Sequence, residues 1–149
     1  MKLYKYIRVG SSYFFNTYED YVPSDLDYLC IVDGSKIPHN TNMLNMNLGK
    51  KHLILCRNLD KTGFINDLMH AGSKMRAGQF LIPEFNEYIN FAIDDLKSIC
   101  YIFNEMDSKH TYEKIIADAY IENNGFFLTD EQRNMAYNEY KKTRNIWNQ

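Results

Sequence analysis

The spacing of hydrophobic residues changes near residue 58, and this change constrains the fold more than any other feature of the sequence. Before it lie three short apolar segments that favour β-strands, Leu3–Val9, Leu26–Val32 and Lys51–Arg57. After it, apolar residues recur three and four positions apart, which is typical of amphipathic helices. The sequence therefore predicts an α+β (α/β) fold in which a small sheet comes first along the chain and helices follow.

The segments that join the predicted strands differ in character. Ser12–Tyr21 is aromatic and acidic, and we expect a short helix there that stops before Pro23. Ser35–Gly49 contains a proline, four asparagines and scattered methionines without a clear period, which predicts a long loop. Lys51–Arg57 contains a continuous apolar run and is therefore predicted to lie in the centre of the sheet.

Four helices are predicted in the second half of the chain. Their apolar stripes are Phe64–Met69, Phe85–Phe103 with Pro83 as the first helical residue, Tyr112–Tyr120, and a last one through Met135 and Tyr140 toward Trp147. The third helix should end at Asn124-Gly125, because such residues accept the left-handed conformation common at helix ends. Thr129 and Gln132 form a capping box that opens the fourth helix.

A length of 149 residues suits one domain with a helical appendage. The boundary is predicted between Asp107 and His110. It divides a core, residues 1–106, from a helical carboxyl-terminal extension, residues 107–149, that packs on the core.

Composition and charge exclude several classes of protein. A net charge of −2 leaves no bulk attraction to DNA or anionic lipid. Cys30, Cys56 and Cys100 lie in apolar segments without paired spacing, which indicates buried thiols in a reducing compartment and not a zinc site. No apolar stretch is long enough to span a bilayer, so we expect no membrane contact and a cytoplasmic location. Frequent Asn, Tyr and Lys fit a phage or a low-GC bacterium.

Two acids, Asp25 and Asp27, stand at the start of the second predicted strand. Residues two apart in a strand point to the same face, so the two carboxylates should lie side by side. Two like charges held this close need a cation. Oxygen ligands of this kind suit Mg²⁺ (or Mn²⁺), which leaves its other positions to water and substrate phosphates.

A glycine-serine turn ends the first predicted strand. Gly10 allows a tight bend, and the backbone N–H groups that follow it could hold a phosphate. Ser11 or Ser12 adds a hydroxyl donor, and Ser24 precedes the acid pair. The sequence thus predicts a phosphate site, formed by Gly10, Ser11, Ser12 and Ser24, next to a metal site.

Gly10-Ser11, followed by Ser24-Asp25-Leu26-Asp27 and an apolar strand, resembles the nucleotidyltransferase superfamily typified by DNA polymerase β. The likeness is closest to its small bacterial and phage members; the motifs cover Leu3 to Val32, and the layout continues to Phe85. The resemblance implies a mixed sheet backed by helices and Mg²⁺-dependent transfer of a nucleotidyl group from an NTP. It also implies that Gly10 and Ser11 hold the triphosphate and that Asp25 and Asp27 are the catalytic, metal-binding residues.

The sequence departs from this superfamily at two places. A third carboxylate is expected on a neighbouring strand, yet Lys51–Arg57 contains no acid. Asp60 or Glu84 could substitute for it, the base could be dispensable, or the reaction could have been lost. The usual basic residue soon after Gly-Ser is also missing, and the aromatic segment Tyr13–Phe15 takes its place.

Two features have competing interpretations. His52 could replace an acid at the metal, but a histidine in an apolar strand is more often a hydrogen-bonded core residue, which we favour. The aromatic residues between the first two strands could stack on a base, but core packing is favoured by their dense spacing. They are Tyr13, Phe14, Phe15, Tyr18 and Tyr21.

The function expected first is that of a minimal nucleotidyltransferase that acts on a protein, RNA or small-molecule hydroxyl. The alternative is a binding protein that keeps the nucleotidyltransferase scaffold without turnover, such as a phage regulator or inhibitor. A third possibility is an antitoxin-like partner whose helices pair with another protein. The sequence leaves the NTP, the acceptor and any homo- or hetero-oligomer open.

Overall fold

The computed structural model shows a four-stranded mixed sheet with helices packed against one face. It describes residues 2–23, 25–33, 37, 43–57, 61–68, 77–84, 86, 90–104 and 111–147. The strands are β1 Leu3–Val9, β2 Leu26–Val32, β3 Met43–Leu48 and β4 Lys51–Arg57, in the sheet order β1-β2-β4-β3. β1 and β3 are antiparallel to their neighbours, and β2 and β4 are parallel. The predicted α+β fold with a small mixed sheet is confirmed.

The three predicted strands have the predicted bounds, and β4 is an interior strand as expected. The long loop predicted over Ser35–Gly49 is wrong, because β3 lies within it and pairs with β4. In β3, Met43 and Asn45 face one side of the sheet, and Leu44 and Met46 face the other. This alternation was not recognised in the sequence, because methionine and asparagine are not typical strand residues.

The helices differ from the prediction at several places: the helix expected within Ser12–Tyr21 ends at Phe14, the 3₁₀ turn was not predicted, and the helix expected after Pro83 is interrupted. They are α1 Ser11–Phe14, α2 Lys61–Leu68, α3 Ile93–Asn104, α4 Thr111–Glu122 and α5 Asp130–Trp147, with a 3₁₀ turn at Ala77–Phe80. The six-turn helix expected to run from Pro83 to Phe103 is interrupted, because Asn90 is left-handed and α3 begins only at Ile93. The Asp95 carboxylate accepts a hydrogen bond from the Ala92 N–H at 2.6 Å and so caps this new start.

The two carboxyl-terminal helices begin and end where the sequence predicts. α4 ends with Asn124 in the left-handed region, and the Gly125 N–H donates to the Tyr120 carbonyl at 3.1 Å. At the start of α5 the Thr129 N–H donates to Gln132 Oε1 at 2.9 Å, and the Gln132 N–H donates to Thr129 Oγ1 at 3.2 Å. This is the reciprocal capping box.

The main core lies between the sheet and the helices. Leu29 and Ile31 of β2 and Ile54 of β4 are fully buried there against residues of every helix from α1 to α5. α4 packs between α3 and α5. Residues 105–110, where the domain boundary is predicted, lie outside the described part of the chain. Among the described helices none is both long and apolar enough to cross a membrane.

Candidate metal and nucleotide site

The acid pair lies where β2 begins. Asp25 is exposed just before the strand, and Asp27 is the second strand residue, paired with Val9 of β1 on one side and with His52 of β4 on the other. Alternation along β2 puts Asp27 on the same face as the buried residues Leu29 and Ile31. The Asp27 carboxylate therefore sits at the rim of the helix-covered face, with only 15% of its side chain exposed.

His52 completes a three-residue group with the two acids. Its Nδ1 atom lies 2.9 Å from Asp27 Oδ1, and its Nε2 atom lies 3.2 Å from Asn45 Oδ1. Ligand atoms of Asp25, Asp27 and His52 all lie within 4.8 Å of one another. His52 is hydrogen-bonded, as the favoured interpretation expects, but it is not part of the core, because its side chain is 21% exposed and faces the acid pair.

The electrostatics of Asp27 reflect its crowded position. Burial raises the pKa of Asp27, and the charge of Asp25 raises it further, while the hydrogen bond and charge of His52 act in the opposite direction. Holding both acids ionised side by side is thus unfavourable without positive charge. A cation placed between them would remove this repulsion.

Gly10 brings the backbone of the first turn directly against Asp27. Its φ of 72° and ψ of −159° lie in a region that is essentially restricted to glycine. A Cβ atom at this position would stand 2.9 Å from Asp27 Oδ2. The glycine-serine turn and the acid pair, far apart in sequence, are therefore neighbours in the structure.

The three serines predicted to bind nucleotide have different surroundings. Ser11 Oγ lies 3.0 Å from the Tyr21 hydroxyl and is partly exposed. Ser12 is fully buried, and its hydroxyl donates to the Val9 carbonyl at 3.2 Å. Ser24 lies outside the described residues. Of these three serines, Ser11 is the one that the structure describes as partly exposed to solvent.

Within the described residues, no third acid joins the group formed by Asp25, Asp27 and His52. Glu84 accepts a hydrogen bond from the Tyr13 hydroxyl at 3.0 Å and does not belong to the group formed by the acid pair. Asp60 lies outside the described residues. The position on the neighbouring strand directly beside Asp27 is held by His52.

The aromatic residues between β1 and β2 pack in the core, as favoured. Phe14 and Phe15 are buried, and Phe15 contacts the rings of Tyr21, Tyr137 and Tyr140 with centroids 6.2, 5.0 and 5.2 Å away. These contacts fix the path of the chain between Gly10 and the acid pair.

Comparisons with protein-family models, with curated proteins and with solved structures find no match to this chain.

Proposed function

We propose that this protein is a nucleotidyltransferase that moves a nucleotidyl group from a metal-bound NTP to a hydroxyl acceptor. The observation that carries the proposal is the convergence of Asp25, Asp27 and His52 within 4.8 Å, beside a backbone turn that Gly10 presses against Asp27. The sequence resemblance supplies the reaction class. The order of Gly10, Asp25 and Asp27 along the chain supports this choice of reaction class.

The donor atoms fit a small divalent cation. Asp25 and Asp27 offer carboxylate oxygens, the ligands that Mg²⁺ and Mn²⁺ take from proteins, and a cation there would favour the ionised form of Asp27, whose pKa is raised first by burial and then by the charge of Asp25. When bound, such a cation would neutralise charge on the triphosphate during transfer. Gly10 lies against Asp27 and Ser11 follows it, so in this proposal Ser11 and the backbone after Gly10 hold the phosphates.

His52 takes the part of the missing third carboxylate in this proposal. In this proposal the neutral imidazole donates its Nδ1–H to Asp27 and carries its lone pair on Nε2, which becomes available when the acceptor displaces Asn45, whose Oδ1 lies 3.2 Å from Nε2. A histidine oriented in this way by a carboxylate can accept a proton from an attacking hydroxyl. Asp27 then has two tasks, to bind the cation and to orient His52.

The test is nucleotidyl transfer from each labelled NTP in the presence of Mg²⁺ or Mn²⁺, with protein, RNA and small hydroxyl compounds as acceptors. The wild type should form a labelled product, and Asp25→Asn/Asp27→Asn should form none. The control Asp94→Asn removes an exposed carboxylate on α3 and should behave as the wild type.

The alternative function, a nucleotide-binding regulator without turnover, is favoured by the absence of any acid on β4. The same assay separates the two functions. Metal-dependent NTP binding without product from any acceptor would overturn transfer and support the regulator.

A further inference from the structure

The face of the sheet opposite the helices is apolar and open. We call this surface the open face. It contains a groove whose lining residues are Leu3, Tyr6, Tyr28, Cys30, Leu48, Lys51 and Leu53. Leu3, Tyr6 and Leu48 are 52%, 63% and 58% exposed. Toward the carboxyl ends of β2 and β4 the same face is covered, because Cys30, Val32 and Leu55 are buried there with Ile37. A parallel strand pair normally has cover on both faces, so this surface suits a partner.

Two tyrosines give the open face the character of a stacking platform. The rings of Tyr6 and Tyr28 lie on adjacent strands with centroids 6.1 Å apart and planes at 65°. Tyr6 projects from the edge strand into solvent, and Tyr28 lies half-buried beside it. Exposed aromatic rings on a sheet are the surfaces on which unpaired bases stack.

The charge of the open face is positive, although the whole chain carries −2. Lys51 lines the groove and is exposed. The register also places Arg8 opposite Tyr28, but the Arg8 Nε donates to the buried Ser12 Oγ at 3.4 Å, so Lys51 is the cation that the groove itself presents. None of the strand residues that the register assigns to this face is an aspartate or glutamate. Its chemistry therefore complements an anionic partner with flat apolar groups.

Tyr28 and Lys51 of the open face lie at the same end of β2 and β4 as the candidate site. Tyr28 follows Asp27, and Lys51 precedes His52, so the two sets of side chains point to opposite faces of the sheet at the same height. A flexible chain that lies on the open face can therefore reach the site around the ends of the strands.

We propose that the open face binds single-stranded nucleic acid, with bases on Tyr6 and Tyr28 and a phosphate at Lys51. A duplex keeps its bases stacked and would not offer them to these rings. A second copy of the chain fits less well, because self-pairing would bring like cations together in an apolar interface without acids to balance them. This binding requires neither a metal nor an NTP.

The test is fluorescence anisotropy in EDTA, with labelled single-stranded RNA, single-stranded DNA and duplex probes of about ten nucleotides. Single strands should bind, and the duplex should bind more weakly. Tyr6→Ala should weaken binding about 5- to 150-fold, which corresponds to the loss of one base stack. Tyr6→Phe should retain it. The logarithm of the binding constant falls linearly with the logarithm of the salt concentration, and Lys51→Gln should make this slope shallower by about 0.7.

The matched control is Tyr101→Ala, which removes a ring that is 57% exposed on helix α3 and should leave binding unchanged. The substituted side chains are exposed, and circular dichroism checks that each variant is folded.

Absence of single-strand binding at low salt would overturn the proposal. An equal loss of binding in Tyr101→Ala would also overturn the proposal. A dimer that is detected by sedimentation and that Tyr6→Ala dissociates would overturn it too. Asp25→Asn/Asp27→Asn should bind single strands normally, so failure of nucleotidyl transfer and failure of this inference are separate results.

Discussion

At the scale of single residues, the site depends most on Gly10. Its backbone angles are available only to glycine at little cost, and its missing side chain leaves room for the Asp27 carboxylate. The sequence predicted Gly10 as a turn residue. It could not show that the turn would press against Asp27, because this contact depends on the pairing of β1 with β2.

We expect Gly10→Ala to lower the free energy of unfolding by about 1–3 kcal/mol, since alanine must adopt a strained backbone and its Cβ meets Asp27. Urea denaturation measures this. The control is Gly49→Ala, where φ is also positive, at 61°, but no atom lies within 4 Å of the added Cβ. The Gly10 variant should be the less stable of the two; equal losses would show that crowding at Asp27 is unimportant.

We expect His52→Gln to lower kcat for nucleotidyl transfer about 10²- to 10⁴-fold, the usual contribution of a proton acceptor. The KM for NTP should change little, because the carboxylates that bind the metal remain. His52→Asp, which places a carboxylate on β4, should retain more activity than His52→Gln. Steady-state kinetics of the three proteins tests this, and an unchanged kcat in His52→Gln would exclude the role proposed for His52.

At the scale of secondary structure, elements with strong local signals were predicted and those with weak signals were missed. β1, β2 and β4 are apolar runs bounded by turn residues, and their ends agree with the prediction. β3 was missed because its pairing partner β4, and not its composition, makes it a strand. The interruption at Asn90 was missed because apolar residues keep the three-and-four spacing in the sequence on both sides of it.

The neighbours of Asp27 illustrate the same limit. Asp27 and His52 are each the second residue of a seven-residue strand, and they meet because β2 and β4 pair in parallel without offset. Equal strand length was visible in the sequence. That the two strands are adjacent and parallel follows from the packing of the whole sheet, which no local pattern encodes.

For helix α5, we expect Thr129→Ala to lower the free energy of unfolding by about 1 kcal/mol, because the Gln132 N–H loses its acceptor. Thr129→Ser keeps the hydroxyl and should be close to the wild type. Thermal or urea unfolding of the three proteins measures the difference. An alanine variant as stable as the wild type would show that the capping box contributes nothing.

At the scale of the whole molecule, the carboxyl-terminal helices support the candidate site. The Arg133 guanidinium donates to the Phe14 carbonyl at 2.7 Å, and the Tyr137 hydroxyl donates to Asp20 at 2.7 Å. Both contacts join α5 to the connector between Gly10 and Asp25. These two hydrogen bonds hold the segment that joins the turn to the acids.

Tyrosines of this region make stability sensitive to alkaline pH. Burial raises the pKa of Tyr13 and of Tyr21 to about 12, with the Glu84 hydrogen bond adding to the effect at Tyr13. Above about pH 10 an unfolded chain releases these protons first, so the free energy of unfolding should fall as pH rises from 10 toward 12. Thermal unfolding across this range measures it. Tyr13→Phe/Tyr21→Phe should show a shallower fall, and an identical fall would contradict the assignment.

The most direct measurement is calorimetric titration of NTP into the protein with and without Mg²⁺, using the wild type, Asp25→Asn/Asp27→Asn and the control Asp94→Asn. Saturable binding that requires Mg²⁺, disappears in the double variant and persists in the control is the predicted result. Binding that needs no cation, or that survives the loss of both carboxylates, would contradict the account.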